Sequence, residues 1–453
     1  MIISERMQAE MKSAMTAQPY IDKLSQMDLL IYAGTVSQVI GLTIESIGPM
    51  AQIGDICRVF TRKGDDAVEA EVVGFRENKI LLMPFGKLEG IGSGSKVIAL
   101  GHRFQAVVGN SLRGRILNGL GEPIDDLGPL TGTIRYDADN LPPNPLTRQR
   151  IAKPLSLGVR AIDGLLTCGR GQRIGIFAGS GVGKSTLLGM MARNAQSDIN
   201  VITLVGERGR EVREFVEKDL GEEGLKKSIL VVATSDQPAI IRQKSAQLGT
   251  AIAEYFRGLG LDVLLLMDSL TRFAMAQREI GMSVGEPPVS RGYTPSVFNE
   301  LPRLLERSGT SDKGSITGLY TVLVEGDDMN EPVADTVRGI LDGHIVLSRA
   351  LAHRNHYPAI DVLASVSRVM PDIVSQTHLK AAGTAKTHLS VYHEAQDLIN
   401  IGAYKKGSNP EIDSAINLQP QLGAFLCQGI KESVTLSDTI TQLEKMTENG
   451  GQV

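Results

Sequence analysis

The run Ala178-Gly179-Ser180-Gly181-Val182-Gly183-Lys184-Ser185 has the residue types and spacing that hold a phosphate chain. Glycines let consecutive backbone N–H groups turn inward, and a helix N-terminus behind them favours negative charge. The apolar segment Arg173–Phe177 precedes the run and Thr186-Leu-Leu-Gly-Met-Met-Ala-Arg193 follows it. That is the strand–loop–helix setting a P-loop requires. In it, Gly179, Ser180, Gly181, Val182 and Gly183 line the cradle, Lys184 reaches the β- and γ-phosphates, and the Ser185 hydroxyl ligates Mg²⁺. The usual first glycine of the motif is Ala178 here, which is tolerable if its φ stays negative. The chain is expected to bind a nucleoside triphosphate.

Turnover needs more: a metal-holding acid, a group that polarises water, and positive charge at the γ-phosphate. Leu264-Leu-Leu-Met-Asp268 ends an apolar run in a carboxylate, the form of a Walker B element, so Asp268 is expected to hold Mg²⁺ through water. Gly206-Glu207-Arg208-Gly209-Arg210-Glu211 follows the strand after the P-loop helix. Ligands of such sheets sit at the C-terminal ends of strands, which puts Glu207 where it can polarise water and Arg208 where it can steady the site. The other reading of these charges is a solvated cluster capping a helix over Arg210–Leu220.

These residues need a scaffold. At 453 residues two or three domains are expected. From Asp28 to about Leu100, short apolar alternations broken by Gly48-Pro49, Lys63-Gly64-Asp65 and Gly90–Gly94 predict a small barrel or sandwich. Its aromatics, Tyr32, Phe60, Phe75 and Phe85, do not interleave with basic residues, so no base-stacking platform is expected. The proline-dense stretch Asn140–Arg148 reads as a linker or strap. After it, candidate strands Arg173–Phe177, Asn200–Val205, Ser228–Ala233, Asp262–Met267, Gly318–Val324 and His344–Leu347 alternate with helical patterns over Arg210–Leu220, Ala246–Gly258 and Val297–Arg307. Near-continuous apolar strands between helices predict an α/β fold with a mostly parallel sheet covered on both faces. From Gln376 onward the pattern is helical, with Thr447–Val453 as a loose tail. Ile3, Met7, Met11 and Met15 give residues 1–27 the spacing of an amphipathic helix.

Hydrophobic residues at 42% and charged residues at 22% fit a soluble globular protein, and no apolar run approaches the ~20 residues of a membrane span. The start of the chain lacks the order of a signal peptide, so a cytoplasmic protein with only peripheral membrane contact is expected. Three widely spaced cysteines suit buried thiols in a reducing compartment. The pair His353 and His356 has no partner ligands nearby, so no structural metal is expected. A net charge of −4 argues against nucleic acid as the main partner.

Pro358, Asp361, Ser365 and Ser367 stand at the spacing P-x-x-D-x-x-x-S-x-S with Arg368 following, and here the chain resembles the ATP synthase α/β family. Asp163–Gln172, Glu207–Phe215 and Glu286–Phe298 are similar to the flagellar and type III secretion ATPases, as are Thr234–Pro238 and Gly326–Pro332. The resemblance runs from about Tyr32 to about Phe425. It implies a small N-terminal β-barrel (28–100), a RecA-like P-loop nucleotide domain (101–375) and a C-terminal helical domain (376–453). It also implies a homohexamer that hydrolyses ATP at subunit interfaces. Residue by residue, Gly183, Lys184, Ser185 and Thr186 match the phosphate and magnesium site, Glu207 the catalytic carboxylate and Asp268 the Walker B acid. Arg368 matches the arginine a neighbouring subunit inserts, and Tyr357 an adenine-stacking tyrosine. The implied partners are a stator-like regulator at the N-terminal helix, a coiled-coil stalk protein, an export gate and chaperone–cargo complexes. That machinery sits at the inner face of the cell membrane. The acidic D-E-L-S-E run of rotary synthases is replaced by Asn409–Asn417, which argues against proton-driven synthesis. The leading expectation is an ATPase that energises protein export. A hexameric RNA translocase and a rotary synthase subunit are the alternatives.

Overall fold

A computed structural model of the chain describes residues 21, 33–62, 66–324, 326 and 328–450. The helix expected over residues 1–27 falls outside these except for Ile21, and so does Tyr32. The described chain forms two compact units that meet in sequence at Arg103 and Phe104.

The first unit is a closed six-stranded barrel: β1 (Ala33–Ile40), β2 (Thr43–Ile47), β3 (Asp55–Phe60), β4 (Ala67–Arg76), β5 (Lys79–Pro84) and β6 (Lys96–Arg103). The strands run in the order β1-β2-β5-β4-β3-β6, and β1 pairs antiparallel with β6 to close the ring. Residues two apart point inward, so Cys57 and Val59, Ala70 and Val72, and Ile80 and Leu82 fill the barrel core. Closure removes every open sheet edge.

The second unit is built on a nine-stranded sheet. Its strands include β7 (Ile116–Asn118), β8 (Arg173–Ala178), β9 (Ile199–Glu207), β10 (Ser228–Thr234), β11 (Asp262–Asp268), β12 (Ser315–Leu323), β13 (Gly343–Leu347) and β14 (Ile360–Ser367). Their spatial order is β14-β13-β8-β12-β11-β9-β10-β7, parallel except for β14, and the short Gly309–Thr310 pairs with β12. Each expected strand is present within a few residues. The helix expected over Arg210–Leu220 is an α-turn, Gly209–Glu214, that widens into a π-helical turn, Phe215–Leu220. Thr447 does not lie in a loose tail: it continues the last helix, buried, with its hydroxyl donating to the Leu443 carbonyl at 3.0 Å.

Alternation along these strands feeds two cores. Leu264 and Leu266 join one apolar cluster, and Val263, Leu265 and Met267 the other. The first lies under helix α1 (Lys184–Asn194) and three C-terminal helices, α5 (Gln376–Asn400), α6 (Pro410–Leu426) and α7 (Leu436–Gly450). The second lies under α2 (Ala239–Gly258), α3 (Leu270–Val284) and α4 (Pro295–Leu305). A sheet covered on both faces explains why its strands read as unbroken apolar runs. Glu254 of α2 and Arg307, just past α4, form a bidentate ion pair at 2.8 Å in both contacts, with each side chain only 2% exposed. No helix among the described residues is long and apolar enough to cross a membrane.

Candidate nucleotide site

Three parallel strands deliver the site to one end of the sheet, at their C-termini. β8 ends at Ala178 and runs into the Gly179–Gly183 loop and α1. β11 ends in Asp268, and β9 ends in Glu207. Ala178 is buried as the last residue of β8 and its φ is not positive, so the missing glycine costs nothing. Gly183 does need to be glycine. Its φ of 84° lies in the left-handed region, and a Cβ there would stand 3.4 Å from the Tyr357 ring.

Helices α3, α5 and α6 each begin with a side-chain cap, from Ser269, Ser375 and Asn409. Helix α1 has none. Its first N–H groups therefore face the loop, together with the positive end of the helix dipole, as an anion requires.

Lys184 Nζ stands 2.5 Å from Asp268 Oδ1 and 3.7 Å from Glu207 Oε1. Thr321 of β12 donates to the same Asp268 oxygen at 2.7 Å. Burial works to lower the Lys184 pKa, but Asp268 and Glu207 outweigh it and hold the ammonium above its ordinary value. Glu207 is pushed up to about 7, first by burial and then by the Asp268 charge; Lys184 opposes this and a hydrogen bond with Glu211 adds to it. A carboxyl that titrates near neutral beside an ordered lysine is a candidate general base.

The remaining expected residues divide. Ser185 is exposed at the start of α1. Thr186 is tied to Asp219 by a side-chain hydrogen bond. Tyr357 lies against Gly183, 40% exposed, and its carbonyl accepts the Gln428 N–H at 2.9 Å. The structure does not bring the Arg208 guanidinium to this cluster: it is 77% exposed and pairs with Glu211 at 3.3 Å. Ser185 and Asp268 offer a hydroxyl and a carboxylate, a hard oxygen donor set that suits Mg²⁺.

Arg368 lies at the other end of the sheet. Leu347 pairs with Ala178 beside the loop, whereas Gly343, four residues back along β13, pairs with Ser367. At ~3.3 Å per residue the arginine leaves the sheet about 13 Å from its own P-loop strand end. Its guanidinium is exposed and makes no ion pair among the described residues. The P-x-x-D-x-x-x-S-x-S residues build its support. Asp361 accepts the Leu363 and Ala364 N–H groups, and Ser365 accepts the Val346 N–H at 2.9 Å where the β13–β14 register shifts.

One residue near the site carries no sequence signal. Arg272, in the first turn of α3, lies over Gly206, where a Cβ would meet its own Cβ at 3.1 Å. Its Nε is buried without a partner. The only hint is its place four residues after Asp268.

Three family models match the chain. They are the ATP synthase alpha/beta family nucleotide-binding domain over residues 158–367, the beta-barrel domain of that family over 36–101, and the T3SS EscN ATPase C-terminal domain over 374–445. The flagellum-specific ATP synthase of Bacillus subtilis (strain 168) is 56% identical over 436 residues, 96% of this chain and 100% of the relative. The solved structure of the assembled ATPase EscN from the enteropathogenic E. coli type III secretion system superposes with a TM-score of 0.87 at 47% identity, covering 91% of this chain and 100% of that one. EscN in complex with its central stalk EscO gives 0.85 at 46% identity with the same coverage.

Proposed function

The chain belongs to the ATP synthase α/β family, in the branch of the flagellar and type III secretion ATPases, and on that premise we propose that it hydrolyses ATP as a homohexamer to drive flagellar protein export. The observation that carries the reading is the meeting of Lys184, Asp268 and Glu207 below the uncapped start of α1.

In this reading the triphosphate lies along the Gly179–Gly183 backbone with its β- and γ-phosphates at Lys184 and its adenine on the Tyr357 ring. Ser185 and Asp268 would hold Mg²⁺, which when bound neutralises charge between the β- and γ-phosphates. Glu207 orients the attacking water and takes its proton, for which a pKa of about 7 is well placed. Arg368 is out of reach of its own cradle, so it serves the site of the next subunit and meets the charge that spreads over the γ-phosphoryl oxygens. The likeness to EscN bound to its stalk supports a coiled-coil stalk partner in the ring. A regulator at the N-terminal segment, an export gate, chaperone–cargo complexes and peripheral contact with the inner membrane face complete the proposal. The match of residues 374–445 to a secretion-ATPase domain weighs against an RNA translocase and a rotary synthase subunit.

Subunit mixing tests the reading. Arg368→Ala and Glu207→Gln proteins, each nearly inactive, regain partial activity together, because some interfaces pair an intact Glu207 with a neighbour's Arg368. Mixtures that stay inactive while subunits demonstrably exchange would overturn the role of Arg368 in trans.

A further inference from the structure

The guanidinium of Arg368 is free, but its main chain is not. Its N–H donates to the Asp342 carbonyl at 3.0 Å. The same carbonyl accepts the Gln172 side-chain amide at 3.1 Å, and that amide also donates to Ser367 Oγ at 3.1 Å. The Gln172 side-chain oxygen accepts the Gly169 N–H at 2.8 Å. Gln172 is completely buried. The Ser367 hydroxyl in turn donates to the Thr167 carbonyl at 2.9 Å. Arg173, the next residue, grips the Asp342 carboxylate with its backbone N–H and its guanidinium, at 3.0 to 3.1 Å.

A buried primary amide is costly unless its donors and acceptor are used, and here they are. Packing alone asks for an apolar side chain of that size at this position. What the amide adds is direction: it fixes the two residues Asp342 and Ser367 between which the Arg368 backbone hangs. Space at this corner is tight, since a Cβ on Gly343 would stand 2.6 Å from the Val366 carbonyl and 3.3 Å from the Gln172 amide.

We propose that Gln172 is a positioning residue for Arg368, setting the arginine that each subunit lends to its neighbour. The proposal rests on the trans role of Arg368 argued above. A charge-stabilising group must be held to within ~0.5 Å, and a displacement of about 1 Å can cost ~10²-fold in rate. Gln172→Met keeps the volume and removes the three hydrogen bonds. It is expected to lower kcat by ~10–100-fold while leaving KM for ATP within about twofold, because the cradle is at the other end of β8.

Mixing experiments separate this role from a merely structural one. Gln172→Met subunits keep a working cradle and lend a misplaced arginine. Mixed with Glu207→Gln they recover activity, since Glu207→Gln subunits supply a well-seated Arg368. Mixed with Arg368→Ala they gain nothing, since no interface then has one. If Gln172 instead supports its own P-loop through β8, the pattern reverses: rescue by Arg368→Ala and none by Glu207→Gln. That reversal, or near-wild-type turnover in Gln172→Met, overturns the proposal. Failure of the Glu207→Gln and Arg368→Ala control pair overturns the underlying reading instead. Should Gln172→Met not fold, Ser367→Ala removes one arm of the bracket on a partly exposed side chain, and the same two mixtures decide with the same signs.

Discussion

Lys184, at the start of α1, and Asp268, at the end of β11, form a direct ion pair, Nζ to Oδ1 at 2.5 Å. This ion pair places the lysine beside Glu207. Lys184→Ala leaves two carboxylates facing each other with no cation between them, and removes the charge that holds the β- and γ-phosphates. Both nucleotide binding and hydrolysis are expected to disappear. Wild-type affinity for a fluorescent ATP analogue in that variant would sink the P-loop assignment.

On the proposed reading Glu207 gives the activity a pH limb. Its carboxyl is raised from an ordinary 4.5 to about 7, so the base form is lost as pH falls below neutral. The kcat/KM for ATP is expected to drop by about one decade per pH unit below that point, the free-enzyme signature of one essential base. Glu207→Gln keeps nucleotide binding, loses at least ~10²-fold in turnover and flattens the limb. Stability carries the opposite sign. Between 4.5 and about 7 the native chain binds a proton that the unfolded chain releases, so this contribution is full at low pH and fades as pH rises. Thermal midpoints across that range should therefore rise more with pH in Glu207→Gln than in wild type. Equal slopes would count against the shift.

On the proposed reading Tyr357 contributes affinity rather than chemistry. Loss of a base-stacking aromatic costs ~1–3 kcal/mol, and Tyr357→Ala is expected to raise KM for ATP ~10-fold while kcat stays within a few-fold. Steady-state kinetics against GTP as well as ATP would check it. A fall in kcat alone would assign the ring to the architecture around Gly183.

The buried pair Glu254–Arg307 predicts a stability effect remote from the site. Glu254→Ala strands an arginine that is only 2% exposed, and a loss of ~3–5 kcal/mol is expected. Denaturant unfolding of the second unit's transition measures it. A cost under ~1 kcal/mol would mean that Arg307 finds water or another acceptor.

The central strands were legible because burial on both faces forces unbroken apolar runs such as Val263–Met267. The edges were not. Ile116–Asn118 is too short to show a period, and Ile360–Ser367 alternates with polar residues whose hydrogen bonds hold a register shift. The same physics divides the site. The glycine-rich loop stands out by its spacing between one strand and one helix, whereas Asp268 gains weight only with that loop upstream and Glu207 only through the family resemblance. The contacts of Gln172 with Asp342 and Ser367 join positions 170 and 195 residues apart, and no local pattern records them. Arg208 was expected at the site from its neighbour Glu207, yet adjacent residues at a strand end point opposite ways, and its side chain went to solvent.

The length of β13 that separates Arg368 from its own phosphate loop has a consequence for the cell. If Arg368 serves its neighbour, as proposed, a chain newly released from the ribosome owns half of two different sites and the whole of none. Idle subunits would then accumulate beside a full ATP pool without draining it, and consumption would begin where copies are gathered. Abundance and place of assembly, rather than the supply of fuel, would be the throttle.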